Sequence, residues 1–209
     1  MKQKFDIDLD EIVPEYQSGL SVVRNLFFKR FELALNFLKT EKINSVIDIG
    51  CGNGRFTRLI RERFDADIDA IDNNQNTESL NNRFEGIRFI KADVTTYKFD
   101  RTYDAVTCLD VLEHFEDVDS IVERIKSLLN PNGVLIISAP VESFFYKCGR
   151  FLIKGSFSQE SGPGAGMHYH NARQLSKLIA QKLQLIERRK IRLFCFHAFD
   201  VLKFRKIDR

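Results

Sequence analysis

Apolar and polar positions along this chain follow two periods, and the switches between them predict its elements. From Val22 the apolar residues Val22, Val23, Leu26, Leu33, Ala34, Phe37 and Leu38 recur at helical spacing. They predict an amphipathic helix, preceded over residues 1–20 by a polar arm or short helix. Short apolar runs at 45–49, 68–71, 87–90 and 104–109 read as strands. Phe56, Leu59, Ile60 and Phe64 share one face of a helix over 55–64, and 75–84 also reads as helical. Val118, Ile121, Val122, Ile125, Leu128 and Leu129 form an i, i+3, i+4 stripe. Ser120 and Glu123 have the spacing of a capping box, so this helix is expected to begin near Ser120. Asn130-Pro131-Asn132-Gly133 is expected to stop it, since proline cannot continue a helix and glycine takes left-handed angles.

Residues 134–139 are almost all apolar, as in a strand of a parallel sheet covered on both faces. Asn171 and Gln174 look like the cap of a last helix bearing Leu175, Leu178, Ile179 and Leu183. Residues 184–204 read as two closing strands. Strands alternating with helices predict an α/β fold with a doubly wound, mostly parallel sheet and helices on both faces. The chain divides into an arm and helix (1–42), a core (43–140), an insert (141–170) and a closing helix with strands (171–209), all within one domain.

Length changes this picture little: 209 residues suit one domain with a full core. No run approaches the roughly 20 apolar residues of a membrane span. The start, Met1-Lys2-Gln3-Lys4-Phe5-Asp6, has no apolar signal core. Cys51, Cys108, Cys148 and Cys195 lie far apart with no C-x-x-C pair, which argues against a cysteine zinc site or a disulfide framework. A cytoplasmic protein with reduced thiols is expected, with peripheral membrane contact as the alternative discussed below. A net charge of +3 is too small to imply nucleic acid.

The chemistry concentrates in Val46-Ile47-Asp48-Ile49-Gly50-Cys51-Gly52-Asn53-Gly54. An apolar strand runs into a loop with glycine at every second position, and Arg55 opens a helix. Glycines let the backbone turn sharply and approach a ligand, and the helix start suits an anion. A dinucleotide fingerprint needs G-x-G-x-x-G, and its third glycine would fall at Arg55. A Walker A loop needs Gly-Lys-Ser/Thr, which is missing.

The string Asp48-x-Gly50-x-Gly52-x-Gly54 resembles the first motif of class I S-adenosylmethionine (SAM)-dependent methyltransferases. Further segments match in order. Asp72 ends the second strand, followed by Asn73, and the matching residue in the family accepts both ribose hydroxyls. Asp93 and Val94 follow the third strand, where the family contacts adenine. Asp110-Val111-Leu112-Glu113-His114-Phe115 follows the fourth. It resembles the L-E-H segment of methyltransferases similar to those of ubiquinone and menaquinone biosynthesis. Leu129-Asn130-Pro131-Asn132-Gly133 resembles the family's turn before strand five.

The resemblance is strong over 43–140 and weak over 165–200. It implies a Rossmann-like methyltransferase fold with a seven-stranded sheet, SAM as cofactor and S-adenosylhomocysteine as product. The implied cofactor site comprises Asp48, Gly50, Cys51, Gly52, Asn53, Gly54, Asp72, Asn73, Asp93, Val94, Leu109 and Asp110.

The reading that follows is methyl transfer to a small-molecule or lipid-like acceptor, at a hydroxyl, by in-line displacement. A hydroxyl needs a base, and His170, His168 and His114 are the candidates. A metal at His168-x-His170 is not expected, because no carboxylate or cysteine stands nearby with ligand spacing. Enzymes that methylate amino groups on DNA or glutamine share an N/D-P-P-Y-type motif, and this position lacks proline. No Pro-Cys dipeptide occurs, which argues against DNA cytosine chemistry.

The insert mixes aromatics and cations over 144–157, as in a lid over the acceptor or an interfacial helix on lipid. Residues 187–209 hold eight Lys/Arg against three acids, a local surplus of five. They read as a solvated sheet edge with inward aromatics, or as a surface for an anionic acceptor or lipid headgroup. A non-catalytic SAM-binding scaffold and a nicotinamide-dependent oxidoreductase are the competing functions. The sequence does not fix the oligomeric state.

Overall fold

The computed structural model describes residues 21–141, 168–193 and 196–207. Seven strands form one sheet: β1 (Ser45–Ile49), β2 (Asp67–Asp72), β3 (Ile87–Lys91), β4 (Tyr103–Leu109), β5 (Leu129–Pro140), β6 (Gln184–Leu193) and β7 (Phe196–Arg205). Their order is β3-β2-β1-β4-β5-β7-β6. The first five are parallel, and β7 runs antiparallel between β5 and β6. The chain winds outward in one direction from β1 to β3 and in the other from β4. The order therefore reverses between β1 and β4, and the carboxyl ends of these two strands open the crevice where such sheets bind ligands.

Each central strand buries both of its faces. On one side α1 (Ser21–Lys39) and α2 (Arg55–Arg63) bring Ala34, Leu35, Leu38, Phe56 and Ile60 against Val46, Ala70 and Ala105. On the other, α3 (Val118–Leu128) and α4 (Ala172–Ile179) bring Ile121, Ile125, Leu175 and Ile179 against Ile47, Ile49 and Val106. Double coverage is why β5 reads as an unbroken apolar run. Among the described residues, no helix is long and apolar enough to cross a membrane.

Four local expectations are corrected. Helix α3 starts at Val118, because Asp117 is its cap: the Ser120 amide donates to the Asp117 carboxylate at 3.0 Å. Ser120 is thus the capped residue, not the cap. The left-handed angle before the apolar part of β5 sits on Asn132 (φ 60°), while Gly133 needs none. Asparagine tolerates that region better than other side chains. Residues 77–82 form only a short 3-10 helix, not a helix over 75–84. Asn81 there bridges both the amide and the carbonyl of Phe89 at 2.9 Å, tying the turn to β3. Helix α4 ends at Ile179, and Leu183 is buried beyond it.

Much of the basic carboxyl-terminal surplus is engaged internally. Arg188 pairs with buried Asp200, Lys203 is itself buried and pairs with Glu41, and Arg205 meets the same Glu41 at 2.8 Å. Lys206 donates to the Leu129 carbonyl at 2.6 Å. Phe199 and Phe204 turn inward, as expected. The edge is therefore less a free cationic surface than the sequence suggests. The polar arm and the insert over 144–157 lie outside the described residues.

Candidate active site at the carboxyl ends of the strands

The glycine loop is held from below and open above. Gly50, Gly52 and Gly54 take φ of 72°, 54° and 75°. At Gly50 a Cβ would stand 2.2 Å from Cγ2 of Val111, so the loop is pressed against the segment after β4. At Gly52 a Cβ would meet nothing within 4 Å, so the loop's crest faces open space. The Gly50 amide donates to the Ile71 carbonyl at 2.8 Å, and the Gly52 amide to the Asp72 carboxylate at 2.8 Å. Helix α2 begins after Gly54 with no acid in its first turn, and the Asn53 side chain accepts its first amide, that of Arg55, at 3.3 Å. Its positive end is left for an anion from outside the helix.

Asp48 lies beneath the loop rather than in the open space. It is buried, and its two carboxylate oxygens accept hydroxyls from Thr57 (2.6 Å) and Thr107 (2.7 Å). Burial pushes its pKa up to about 6, against the pull of those hydroxyls and helped by the charge of Asp72. Asp48 shapes the loop by clamping β1, α2 and β4 together. Cys51 is buried too, and burial with the nearby Asp48 and Asp72 charges raises its thiol. Its side chain is an inert filler.

Asp72 stands at the rim, half-buried, with its other oxygen accepting the Asn74 amide at 2.9 Å. Asn73 and Asn53 are exposed beside it. Asp93 is exposed, and one of its oxygens accepts both the amide and the hydroxyl of Thr95 at 2.8 and 2.7 Å. That hydroxyl, then the amide, hold its carboxyl below the usual range. Val94 is buried, and its carbonyl accepts from Arg124.

β4 ends at half-buried Leu109, and Asp110 follows in a left-handed conformation (φ 58°). Ser138 of β5 holds both ends of this residue: its carbonyl accepts the Asp110 amide at 3.1 Å, and its hydroxyl donates to the carboxylate at 2.7 Å. Arg30 of α1 forms an ion pair with the same carboxylate and lies over the Phe199 ring at 4.7 Å. Arg30 is buried and gives no signal in the sequence, because its partner lies 80 positions away in a different motif. It closes α1 onto the strand end.

A turn over Leu112–His114 then brings two of the three histidine candidates together with Glu113. Glu113 is 1% exposed, and among the described residues its Oε2 has no hydrogen-bond partner. Burial pushes its pKa up to about 8, offset in part by its own backbone amide and the Arg30 charge. The Tyr169 amide donates to the Glu113 carbonyl at 2.8 Å and so fixes the neighbouring His168. The His114 and His168 rings meet edge to face, with centroids 4.7 Å apart. One ligand atom from each of Glu113, His114 and His168 lies within 4.8 Å of the others. His170 turns away, with Nε2 3.3 Å from the Glu116 carbonyl. No carboxylate with ligand spacing was expected beside His168-x-His170, and the fold brings Glu113 to His168 from another segment. Glu113 is 55 positions from His168 in sequence, so spacing could not show it.

These residues fit a ligand with an anionic end, a diol and a polarisable reacting centre. The start of helix α2 offers amides for the first, the Asp72 carboxylate offers acceptors for the second, and the Glu113–His114–His168 cluster offers titratable groups for the third. Comparison with known proteins agrees. The family model described as "Methyltransferase domain" matches residues 23–190. The ubiquinone biosynthesis O-methyltransferase of Rickettsia felis is 33% identical over 97 residues, covering 44% of this chain and 40% of that one. The trans-aconitate 2-methyltransferase of Rhizobium leguminosarum bv. trifolii is 32% identical over 102 residues, covering 48% and 40%. The matches span only about 40% of the length of these curated relatives. Among solved structures, the N-methyltransferase NodS from Bradyrhizobium japonicum WM9, in complex with S-adenosylhomocysteine, superposes with a TM-score of 0.68. Its identity is 16%, and 88% of each chain is covered. At that identity the likeness speaks for the fold.

Proposed function

The chain belongs to the methyltransferase-domain family, and from that premise we propose that it transfers a methyl group from SAM to an oxygen of a small-molecule acceptor. When bound, SAM supplies an electrophilic sulfonium methyl, so the protein has no need to activate the donor. Its own residues position, deprotonate and shield. The loop from Gly50 to Gly54 and the start of α2 would hold the cofactor's carboxylate end. Asp72 would take the ribose hydroxyls. Leu109 and Asp110 would flank the methionine side, held by Ser138 and Arg30.

The observation that carries the acceptor reading is the cluster of Glu113, His114 and His168. An amine acceptor needs only its free lone pair, whereas a hydroxyl must lose a proton as it attacks. Imidazole has an ordinary pKa near the working pH, which suits a base. The His114 and His168 rings meet edge to face beside Glu113, and His170 Nε2 stands by a backbone carbonyl instead. His168 and His114 are therefore stronger base candidates than His170. Among the relatives, the Rickettsia felis protein is an O-methyltransferase, which supports an oxygen acceptor, whereas NodS is an N-methyltransferase, so the amines belong in the test.

The test is incubation with methyl-labelled SAM and a panel of phenols, catechols, carboxylic acids and amines. Label on oxygen, reduced strongly in His168→Ala, is the expected result. Label on nitrogen alone would overturn the oxygen assignment.

A further inference from the structure

We propose that Glu113, His114 and His168 form a binding site for one divalent transition-metal ion of the zinc class. The first argument is the donor set. Two imidazoles and one carboxylate are the ligands that such ions take, and three protein ligands leave a position for an exogenous oxygen.

The second argument is geometry. A tetrahedral ion with ligands at about 2.0–2.2 Å holds its donor atoms roughly 3.3–3.6 Å apart. The three donors here already lie within 4.8 Å of one another without an ion. About 1 Å of side-chain rotation closes that gap. The Tyr169 amide binds the Glu113 carbonyl at 2.8 Å and so ties the two segments that carry the donors together.

The third argument is electrostatic. Glu113 is 1% exposed, and its Oε2 is buried with no hydrogen-bond partner among the described residues. A buried carboxylate oxygen left in that state is costly, and a cation is the partner that removes the cost. Arg30 is the nearby cation, but it is paired with Asp110. The cysteines do not compete locally: Cys108 is buried, and burial with the charges of Glu113 and Asp48 raises its thiol well above the ordinary range.

An ion here would act as a Lewis acid on an oxygen of the acceptor, lowering the pKa of a bound hydroxyl; with the ion bound, His114 and His168 are its ligands, and this activation takes the place of their role as bases. That role rests on the methyl-transfer reading, whereas ion binding itself does not.

The experiment uses the full chain without an affinity tag, stripped with a chelator and titrated with zinc by calorimetry and with cobalt by absorbance. One equivalent per chain is expected. The cobalt form should show d–d bands without a thiolate charge-transfer band. Glu113→Gln and His168→Ala should each lose the stoichiometric uptake while still melting cooperatively. Zinc that fails to bind the wild type, or that binds both variants undiminished, would overturn the site. Titration of the same samples with S-adenosylhomocysteine separates the two readings. Zinc uptake without cofactor binding upholds the ion site and removes its catalytic role. Cofactor binding without zinc uptake removes the ion site alone.

Discussion

Two buried carboxylates, at opposite ends of the sheet, meet opposite fates. Asp69 lies toward the amino ends of the strands and is 1% exposed. It accepts from Arg88 at 2.6 Å, from Arg101 at 2.9 Å and from the Tyr103 hydroxyl at 2.6 Å. Burial alone would raise its pKa, but the Arg88 and Tyr103 hydrogen bonds and the Arg101 and Arg88 charges hold it below the ordinary value. Glu113, at the carboxyl end, is as deeply buried and has a bare oxygen. Asp48, between them, has hydroxyl partners and no cation within its hydrogen bonds. Completed charge at one end and incomplete charge at the other is what separates a structural network from a site built to receive something.

The largest effect should come from breaking the completed end. Asp69→Ala strands two half-exposed arginines and a buried phenol, and should cost roughly 3 kcal/mol of stability in urea unfolding. A loss under about 1 kcal/mol would mean the network is ornamental to the fold.

Asp48 sharpens the contrast through pH. Its carboxyl titrates at about 6 when folded and near 3.8 ordinarily. Between these values the folded chain holds a proton that the unfolded chain releases, so stability from this group falls as pH rises from about 4 to about 6. The span is worth about 3 kcal/mol. Asp48→Asn should abolish that slope, and wild-type and variant curves that run parallel would remove the group from the account.

Asp72→Ala should weaken S-adenosylhomocysteine binding by about 1–3 kcal/mol, as expected when a buried hydrogen-bond acceptor is lost. The Gly52 amide loses its partner in the same variant, so part of this effect acts through the loop. Unchanged affinity would remove Asp72 from the ribose role.

The smallest change in stability belongs to Glu113→Gln. It replaces an unsatisfied carboxyl with a neutral isostere, and unfolding should shift by less than about 1 kcal/mol. Methyl transfer should nonetheless collapse. A variant that unfolds, or that turns over normally, would make Glu113 a structural residue like Asp69.

The strand positions, the helix stripes and the glycine loop were legible in the sequence because they are local. Periods of two and 3.6 residues, and a motif within nine positions, need no knowledge of what packs where. The Asn171–Gln174 capping box is another such case, and both of its reciprocal bonds form. The cap at Asp117 was missed because Ser120, with Glu123 three residues on, satisfies the same spacing rule one turn later. The long-range chemistry was hidden. Arg30 on Asp110, Thr107 on Asp48, and Glu113 beside His168 join residues 55 to 80 positions apart. No spacing rule connects them, and only the reversal of strand order between β1 and β4 brings them to one rim.

The central claim is that the carboxyl end of this sheet is a SAM site. Calorimetric titration of the folded chain with S-adenosylhomocysteine, alongside NAD, tests it most directly. Saturable binding of S-adenosylhomocysteine alone, weakened in Asp72→Ala, is the predicted result. No binding by a chain that melts cooperatively, or binding of NAD instead, would contradict it.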